Sequence, residues 1–114
     1  MARLCPLFSG SSGNSYYIGS QDRGILIDVG RSAKQTTEML QKCGIPVSAI
    51  EGIFITHEHT DHVKGLRVFA GRNHIPVFAS FGTLEALNDA QMLDGKFPCT
   101  AIGTEGVLCA GMEI

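Results

Sequence analysis

The chain has 114 residues, of which 44% are hydrophobic and 18% are charged, and its formal net charge is −2. This length and composition suit one small globular domain and exclude a disordered chain. The small negative charge provides no general attraction for nucleic acid, so a phosphate-bearing substrate would need a local patch or metal ions. No apolar run has the length that a signal peptide or a membrane span needs, so we expect a cytoplasmic protein.

The amino-terminal part of the sequence predicts strands. Residues 4–8 and 15–18 are short segments with strand character, and the glycine- and serine-rich stretch 9–14 between them predicts a turn. Residues 24–29 form a nearly continuous apolar run, which is typical of a strand that is buried on both faces. Asp28 and Gly30 mark the end of that strand.

A helix is predicted next, because Ser32 and Gln35 fit a capping box in which each side chain satisfies a free amide at the helix start. Small and apolar residues recur at intervals of three and four and form one face of this helix: Ala33, Thr36, Leu40 and Cys43. Gly44 predicts a left-handed cap, and Pro46 prevents continuation of the helix. Residues 50–56 predict a third buried strand.

The carboxy-terminal part alternates helix and strand. A helical stripe comprises Val63, Leu66, Phe69 and Ala70, with Gly65 as a weak point. Residues 76–79 predict a short strand and residues 83–90 a helix, whose Leu84 and Leu87 point inward. The stretches 99–102 and 107–114 predict short strands with glycine turns. The predicted fold class is therefore α/β, with a mixed sheet covered by helices.

The cysteines are scattered, without a Cys-x-x-Cys pair, at Cys5, Cys43, Cys99 and Cys109. This spacing argues against a zinc ribbon or a thioredoxin-type redox site. We expect reduced thiols that are mostly buried, without disulfides.

A cluster of metal-binding residue types follows the third predicted strand directly. It comprises His57, His59, Asp61 and His62. Imidazole nitrogens and carboxylate oxygens are the usual ligands of catalytic zinc and similar divalent ions, so one short loop is predicted to serve two metal ions. The alternative is surface histidines at a helix start, with Asp61 as a helix cap. Glu58 and Thr60 are expected to face away from the metals, and His74 to be an ordinary surface or packing histidine.

Residues 56–62 with the preceding strand resemble the signature of the metallo-β-lactamase superfamily. Stretches 9–15, 26–30 and 62–66 most resemble its YycJ/WalJ branch. The resemblance implies a cytoplasmic metal-dependent hydrolase, a phosphodiesterase or DNA exonuclease acting on single-stranded or duplex DNA ends. It implies that His57 and His59 ligate a first divalent ion and that Asp61 and His62 ligate a second. Zinc, manganese or iron would suit these ligands, and Asp61 would also take part in proton transfer.

Two further groups of residues gain an expected role from the resemblance. Asp28 matches an early aspartate that braces the histidine loop, although a strand-end turn residue is the alternative. The hydroxyl, amide and backbone donors of the glycine-serine loop, at Ser11, Ser12 and Asn14, could bind a phosphate, or the loop could be only a tight turn.

The resemblance also implies an αββα sandwich of two αβ halves with the metals between them. Residues 1–114 match the amino-terminal half, so we predict a single incomplete domain that lacks the ligands of the carboxy-terminal half. The chain could be a piece of a longer protein, a truncated gene product, or a half completed by a second chain. Each alternative predicts an uncovered apolar sheet face that favours self-association.

The ligand cluster alone does not select the substrate, since the same ions activate water for phosphoryl and acyl transfer. A thioester or lactam hydrolase is therefore one alternative function. A non-catalytic half-domain that binds metal or self-associates is another. With ligands from one half only, we expect partial metal occupancy and no activity for this chain alone.

Overall fold

The computed structural model describes residues 3–8, 13–20, 22–56, 63, 65–89, 99–101, 108–109 and 112–113. Within these residues the main sheet has six strands in sequence order. They are β1 (Arg3–Phe8), β2 (Ser15–Gly19), β3 (Gly24–Ile27), β4 (Ile50–Phe54), β5 (Val77–Ala79) and β6 (Cys99–Ala101). The pairs β1–β2 and β2–β3 are antiparallel, and the pairs from β3 to β6 are parallel. The predicted mixed sheet is therefore confirmed.

The remaining described elements are three helices, a short 3₁₀ turn and a hairpin. They are α1 (Ala33–Lys42), the 3₁₀ turn Val47–Ala49, α2 (Leu66–Asn73), α3 (Phe81–Asp89), and a separate antiparallel pair of β7 (Leu108–Cys109) and β8 (Met112–Glu113). In the part of the chain that the structure describes, no helix is long and apolar enough to cross a membrane.

Helix α1 begins and ends as its sequence predicts. The Ser32 side chain accepts a hydrogen bond from the Gln35 amide, and the Gln35 side chain returns to the Ser32 amide. At the other end Gly44 has a φ of 74°. The Gly44 amide donates to the Gln41 carbonyl at 3.0 Å, and the Ile45 amide to the Leu40 carbonyl at 2.9 Å. This pair of bonds is a Schellman cap, which fixes the direction in which the chain leaves the helix.

The two faces of the sheet are both apolar. Strand side chains such as Leu26, Ile53 and Val77 form one buried cluster with side chains of all three helices. Their neighbours on the opposite face form a second cluster of Ile18, Ile25, Ile27, Phe54 and Phe78. The expected second apolar face is thus present, but at its centre Ile25 is 1% and Phe54 6% exposed. The centre of this face is therefore buried, and the expected uncovered apolar surface is confined to its margin, where Ile18, Ile27 and Phe78 are half-buried.

Several predicted boundaries are shifted, three of them for reasons that the hydrogen bonds and backbone show. Strand β3 ends at Ile27 rather than at residue 29, because Asp28 has a left-handed backbone with a φ of 62°. Strand β4 ends at Phe54, and the Thr56 amide is bonded to the Asp28 side chain. Helix α3 begins at Phe81, before the predicted residue 83, since the Ser80 side chain accepts from the Thr83 amide at 3.2 Å.

The cysteines differ from the prediction of mostly buried thiols. Cys99 is exposed, because it lies on β6, whose residues 99–101 are all exposed. Cys5 and Cys43 are half-buried. The side chain of Cys109 lies outside the described part of the structure.

Candidate metal centre

The site is built at the edge of the sheet where the parallel strands β3, β4 and β5 end. Ile27 pairs with Phe54, and Phe54 with Phe78, so the three strands finish in register. Residues that follow parallel strands meet at the same edge of a sheet. Asp28 and Thr56 therefore come together although they lie 28 positions apart in the sequence.

Asp28 is buried, with 2% of its surface exposed, and contacts Thr56 through both carboxylate oxygens. The Thr56 amide donates to Oδ1 at 2.8 Å, and the Thr56 hydroxyl donates to Oδ2 at 2.6 Å. The Asp28 amide donates to the Phe54 carbonyl at 2.9 Å, which extends the ladder between the strands by one bond. Asp28 is both a strand-end turn residue and the acceptor that fixes Thr56, the residue immediately before His57.

Gly65 fixes the chain on the other side of the histidine stretch. Its amide donates to the Val29 carbonyl at 2.9 Å, one residue after Asp28. A Cβ atom at Gly65 would lie 2.0 Å from the Arg31 carbonyl oxygen, so only glycine allows this close approach of two backbones. Gly65 stands immediately before α2, so this helix begins at Leu66 and does not include Val63, the first residue of the predicted stripe. Thr56 and Gly65, which flank residues 57–62 in the sequence, are thus bonded to the consecutive residues Asp28 and Val29.

Residues 13–15, at the end of the glycine-serine stretch, also contact this edge of the sheet. The Gly30 amide donates to the Asn14 carbonyl at 2.8 Å, and the Ser15 hydroxyl donates to the Asp28 carbonyl at 2.9 Å. A Cβ atom at Gly13, whose φ is 144°, would lie 2.7 Å from the Gly30 carbonyl oxygen. Asn14 is half-buried. Ser11 and Ser12 lie outside the described residues.

A positive charge is held beside this loop. The guanidinium carbon of Arg31 lies 4.5 Å from the centroid of the Phe8 ring, at the end of β1. A cation over an aromatic face is stabilised by the ring quadrupole. The Arg31 side chain therefore lies against Phe8 and Gly13, the described residues on either side of residues 9–12.

The four predicted ligands His57, His59, Asp61 and His62, together with Glu58 and Thr60, lie outside the described residues, so their arrangement stays a prediction. Among the residues that the structure does describe, no group of three or more His, Cys, Asp or Glu side chains could hold a metal ion. His74 is exposed and caps α2 with a φ of 55°. It lines a shallow groove with Glu51 and Pro76, at the opposite ends of the strands.

Sequence reasoning selected Asp28 but missed the residues around it. Thr56 was included only as part of the motif, and Gly65 only as a helix-weakening residue. The available signals were their positions, one residue before the histidine stretch and three residues after it. The contacts themselves depend on strand register, which the sequence pattern does not define.

The family model described as the metallo-beta-lactamase superfamily matches residues 9–96. The chain belongs to the metallo-β-lactamase superfamily, which confirms the resemblance and implies divalent metal ions. The residue types at positions 57–62 fit such ions, because three imidazoles and a carboxylate suit a divalent transition metal.

Two curated relatives carry the name exodeoxyribonuclease. YycJ from Bacillus anthracis is 40% identical over 92 residues, which are 81% of this chain and 34% of that protein. WalJ from Streptococcus pneumoniae is 36% identical over 87 residues, which are 76% of this chain and 32% of that protein. The chain thus spans about a third of the length of these relatives.

Solved structures support the same fold. A diphosphatase from the PhnP family matches with a TM-score of 0.73 at 20% identity, over 99% of this chain and 56% of that chain. At this level of identity the match concerns the fold alone.

Proposed function

We propose that this chain provides the metal-binding αβ half of a metal-dependent hydrolase that, in its complete form, cleaves phosphodiesters as a DNA exonuclease. The observation that carries the proposal is the anchoring of Thr56 and Gly65, on either side of residues 57–62, to Asp28 and Val29. The names of the relatives favour DNA over other substrates.

We assign His57 and His59 to a first divalent ion, and Asp61 and His62 to a second. Zinc fits the imidazole-rich donor set best, and manganese or iron also fits it. The ions would supply Lewis acidity and a nucleophilic water at neutral pH. The Asp61 carboxylate would orient the attacking water and accept its proton at a carboxylate oxygen.

The described residues would position these ligands. Asp28 holds the backbone and the hydroxyl of Thr56, so the chain enters residue 57 in a fixed direction. The hydrogen bond from the Gly65 amide to the Val29 carbonyl fixes the chain after these residues. The glycine-serine loop, with Ser11, Ser12 and Asn14, would offer donors to a substrate phosphate beside this edge.

Metal uptake tests the assignment. We expect the double variant His57→Ala/His59→Ala to lose the zinc or manganese that the unchanged chain retains after dialysis, as measured by elemental analysis. The matched control is His74→Asn, which removes the one histidine outside residues 57–62, at a site where asparagine tolerates the left-handed backbone. Equal metal content in the double variant and the control would refute the assignment.

A side-by-side assay with the metal-loaded chain separates the substrate classes. Single-stranded DNA, duplex DNA, a glutathione thioester and a chromogenic lactam would be offered at equal concentration. We expect turnover by this chain alone to be below detection, because one half supplies too few ligands for a closed site. In the full-length form we expect turnover of DNA, and preferential hydrolysis of the thioester or lactam would contradict the proposal.

We also propose that the chain self-associates through the second face of the sheet. Ile18, Ile27 and Phe78 are half-buried around Ile25 and Phe54, so apolar surface remains at the margin of this face. Apolar surface of this kind favours association with a matching surface.

A further inference from the structure

Two cysteines that are remote in the sequence have adjacent thiols. The Sγ atoms of Cys5 and Cys43 lie 3.2 Å apart and partly buried, although the residues are 38 positions apart. Neither cysteine takes part in the candidate metal centre. Their proximity comes from the packing of β1 against the end of α1.

Both cysteines lie in backbone that is held by regular hydrogen bonds. Cys5 lies within β1, where it pairs with Tyr17 of β2. Cys43 ends α1, and its amide donates to the Met39 and Leu40 carbonyls, both at 3.1 Å. The Schellman cap that follows Cys43 limits the movement of the helix end. The two thiols are therefore held side by side by a paired strand and a capped helix.

We propose that Cys5 and Cys43 form a reactive dithiol site that takes a low-molecular-weight disulfide, of the oxidised glutathione class, as its substrate. A disulfide bond is about 2.05 Å long, so the sulfur atoms need to approach by only about 1 Å. Zinc would need four ligands in a structural site. Among the described residues no third such ligand joins the pair, whereas disulfide exchange needs only the two thiols.

The reaction balances with one molecule of oxidant. The Cys5 thiolate attacks one sulfur of the oxidised disulfide, which forms a mixed disulfide and releases one thiolate. The Cys43 thiolate then attacks the Cys5 sulfur, closes the Cys5–Cys43 bond and releases the second thiolate. The two protons lost by the cysteines go to the two released thiolates. Two cysteine thiols are oxidised, and one small disulfide is reduced to two thiols.

The closed form would link β1 to the helical layer without touching the metal centre. Ser32 precedes α1 and Cys43 follows it, so the ten-residue helix separates them by about 15 Å. Gly65, beside residues 57–62, packs against the start of α1. Oxidation should therefore stabilise the fold and leave metal uptake unchanged. In a reducing compartment the site would remain a dithiol.

Peptide mapping tests the proposal on the unchanged chain. The native protein is incubated with oxidised glutathione, its remaining thiols are alkylated, and trypsin is added without reduction. We expect a linked pair of tryptic peptides, residues 4–23 and 43–64, that separates on reduction. We also expect the midpoint of thermal unfolding to rise by roughly 10 °C, because the crosslink restricts the unfolded chain.

Single variants provide the controls. Cys5→Ser and Cys43→Ser should each lose the linked peptides and the thermal shift, whereas Cys99→Ser should keep both. The linked pair should also form in His57→Ala/His59→Ala, which separates this proposal from the metal assignment. Glutathione attached singly to Cys5 or Cys43 without a linked pair would overturn the proposal. Preferential linkage of either residue to Cys99 or Cys109 would also overturn it.

Discussion

Asp28 combines a left-handed backbone with two short hydrogen bonds to one residue, and few residue types allow both. Glycine would adopt the φ of 62° without strain but could not accept hydrogen bonds through a side chain. Asparagine tolerates this backbone but has one acceptor oxygen in its side chain. Of these three residue types, aspartate alone offers one side-chain oxygen to the amide of Thr56 and another to its hydroxyl. The backbone conformation of Asp28 and its two hydrogen bonds to Thr56 therefore explain why aspartate occupies this position.

We predict that Thr56→Val weakens both the fold and the metal site. The variant removes the 2.6 Å hydrogen bond to the Asp28 carboxylate but keeps the amide bond. We expect the free energy of unfolding to fall by about 1.5 kcal/mol, since this bond has a charged acceptor. Zinc affinity should fall about tenfold through loss of ligand positioning. Urea unfolding and a chelator competition titration measure the two effects.

Thr56→Ser is the matched control, because it keeps the hydroxyl. It should remain within about 0.5 kcal/mol of the unchanged chain and bind zinc with similar affinity. If the valine and serine variants matched each other in both measurements, the contact with Asp28 would not position the site.

Much of the site chemistry follows from residue types, whereas its contacts do not. The spacing of the residues from His57 to His62 indicates metal binding because these residue types have few other reasons to cluster. The partner of Asp28 could not be predicted, since Thr56 meets it only through the parallel pairing of β3 with β4. The shared anchoring of Thr56 and Gly65 depends on the same register.

The contact between α1 and α2 depends on one glycine. We predict that Gly65→Ala destabilises the chain by about 3 kcal/mol, because the added Cβ would lie 2.0 Å from the Arg31 carbonyl oxygen. Both atoms are fixed to the backbone, so no side-chain rotation can relieve the overlap and the backbone itself would have to move. Thermal or urea unfolding measures the loss.

Gly82→Ala is the corresponding control in α3. Nothing lies within 4 Å of the Cβ position at Gly82, so alanine should be tolerated there. We expect a gain of about 0.5 kcal/mol from the better helix propensity of alanine. If Gly65→Ala and Gly82→Ala changed the free energy of unfolding equally, the close approach at Gly65 would not contribute to stability.

The helices and strands were predicted best where local signals decide. The capping box of Ser32 and the left-handed cap at Gly44 act within one turn of the chain, and both are confirmed. The end of β3 was predicted two residues late because apolar character continues through Val29. The backbone turn at Asp28 comes from its tertiary contacts, which a hydropathy pattern does not contain.

The molecule as a whole has apolar side chains on both faces of its sheet. The helices cover one face, and the second cluster lies on the other. We predict that Ile18→Lys weakens self-association at least tenfold, because a charge on this face must be desolvated in a dimer. Sedimentation velocity over a concentration series measures the change.

Val68→Lys is the control, because Val68 is an apolar residue with 45% of its surface exposed on α2. It should leave the association unchanged. If the unchanged chain remained monomeric at all concentrations, the second sheet face would be excluded as the contact. The same conclusion would follow if Val68→Lys weakened the association as much as Ile18→Lys.

We expect the imidazoles and the carboxylate of residues 57–62 to bind divalent ions at the sheet edge where Asp28 holds Thr56 and Val29 holds Gly65. X-ray absorption at the zinc edge of the zinc-loaded chain tests it most directly, because it identifies the donor atoms. We expect nitrogen and oxygen ligands at about 2.0–2.1 Å with an imidazole signature, and loss of that signal in His57→Ala/His59→Ala. Sulfur ligands at about 2.3 Å, or an unchanged spectrum in the double variant, would contradict it.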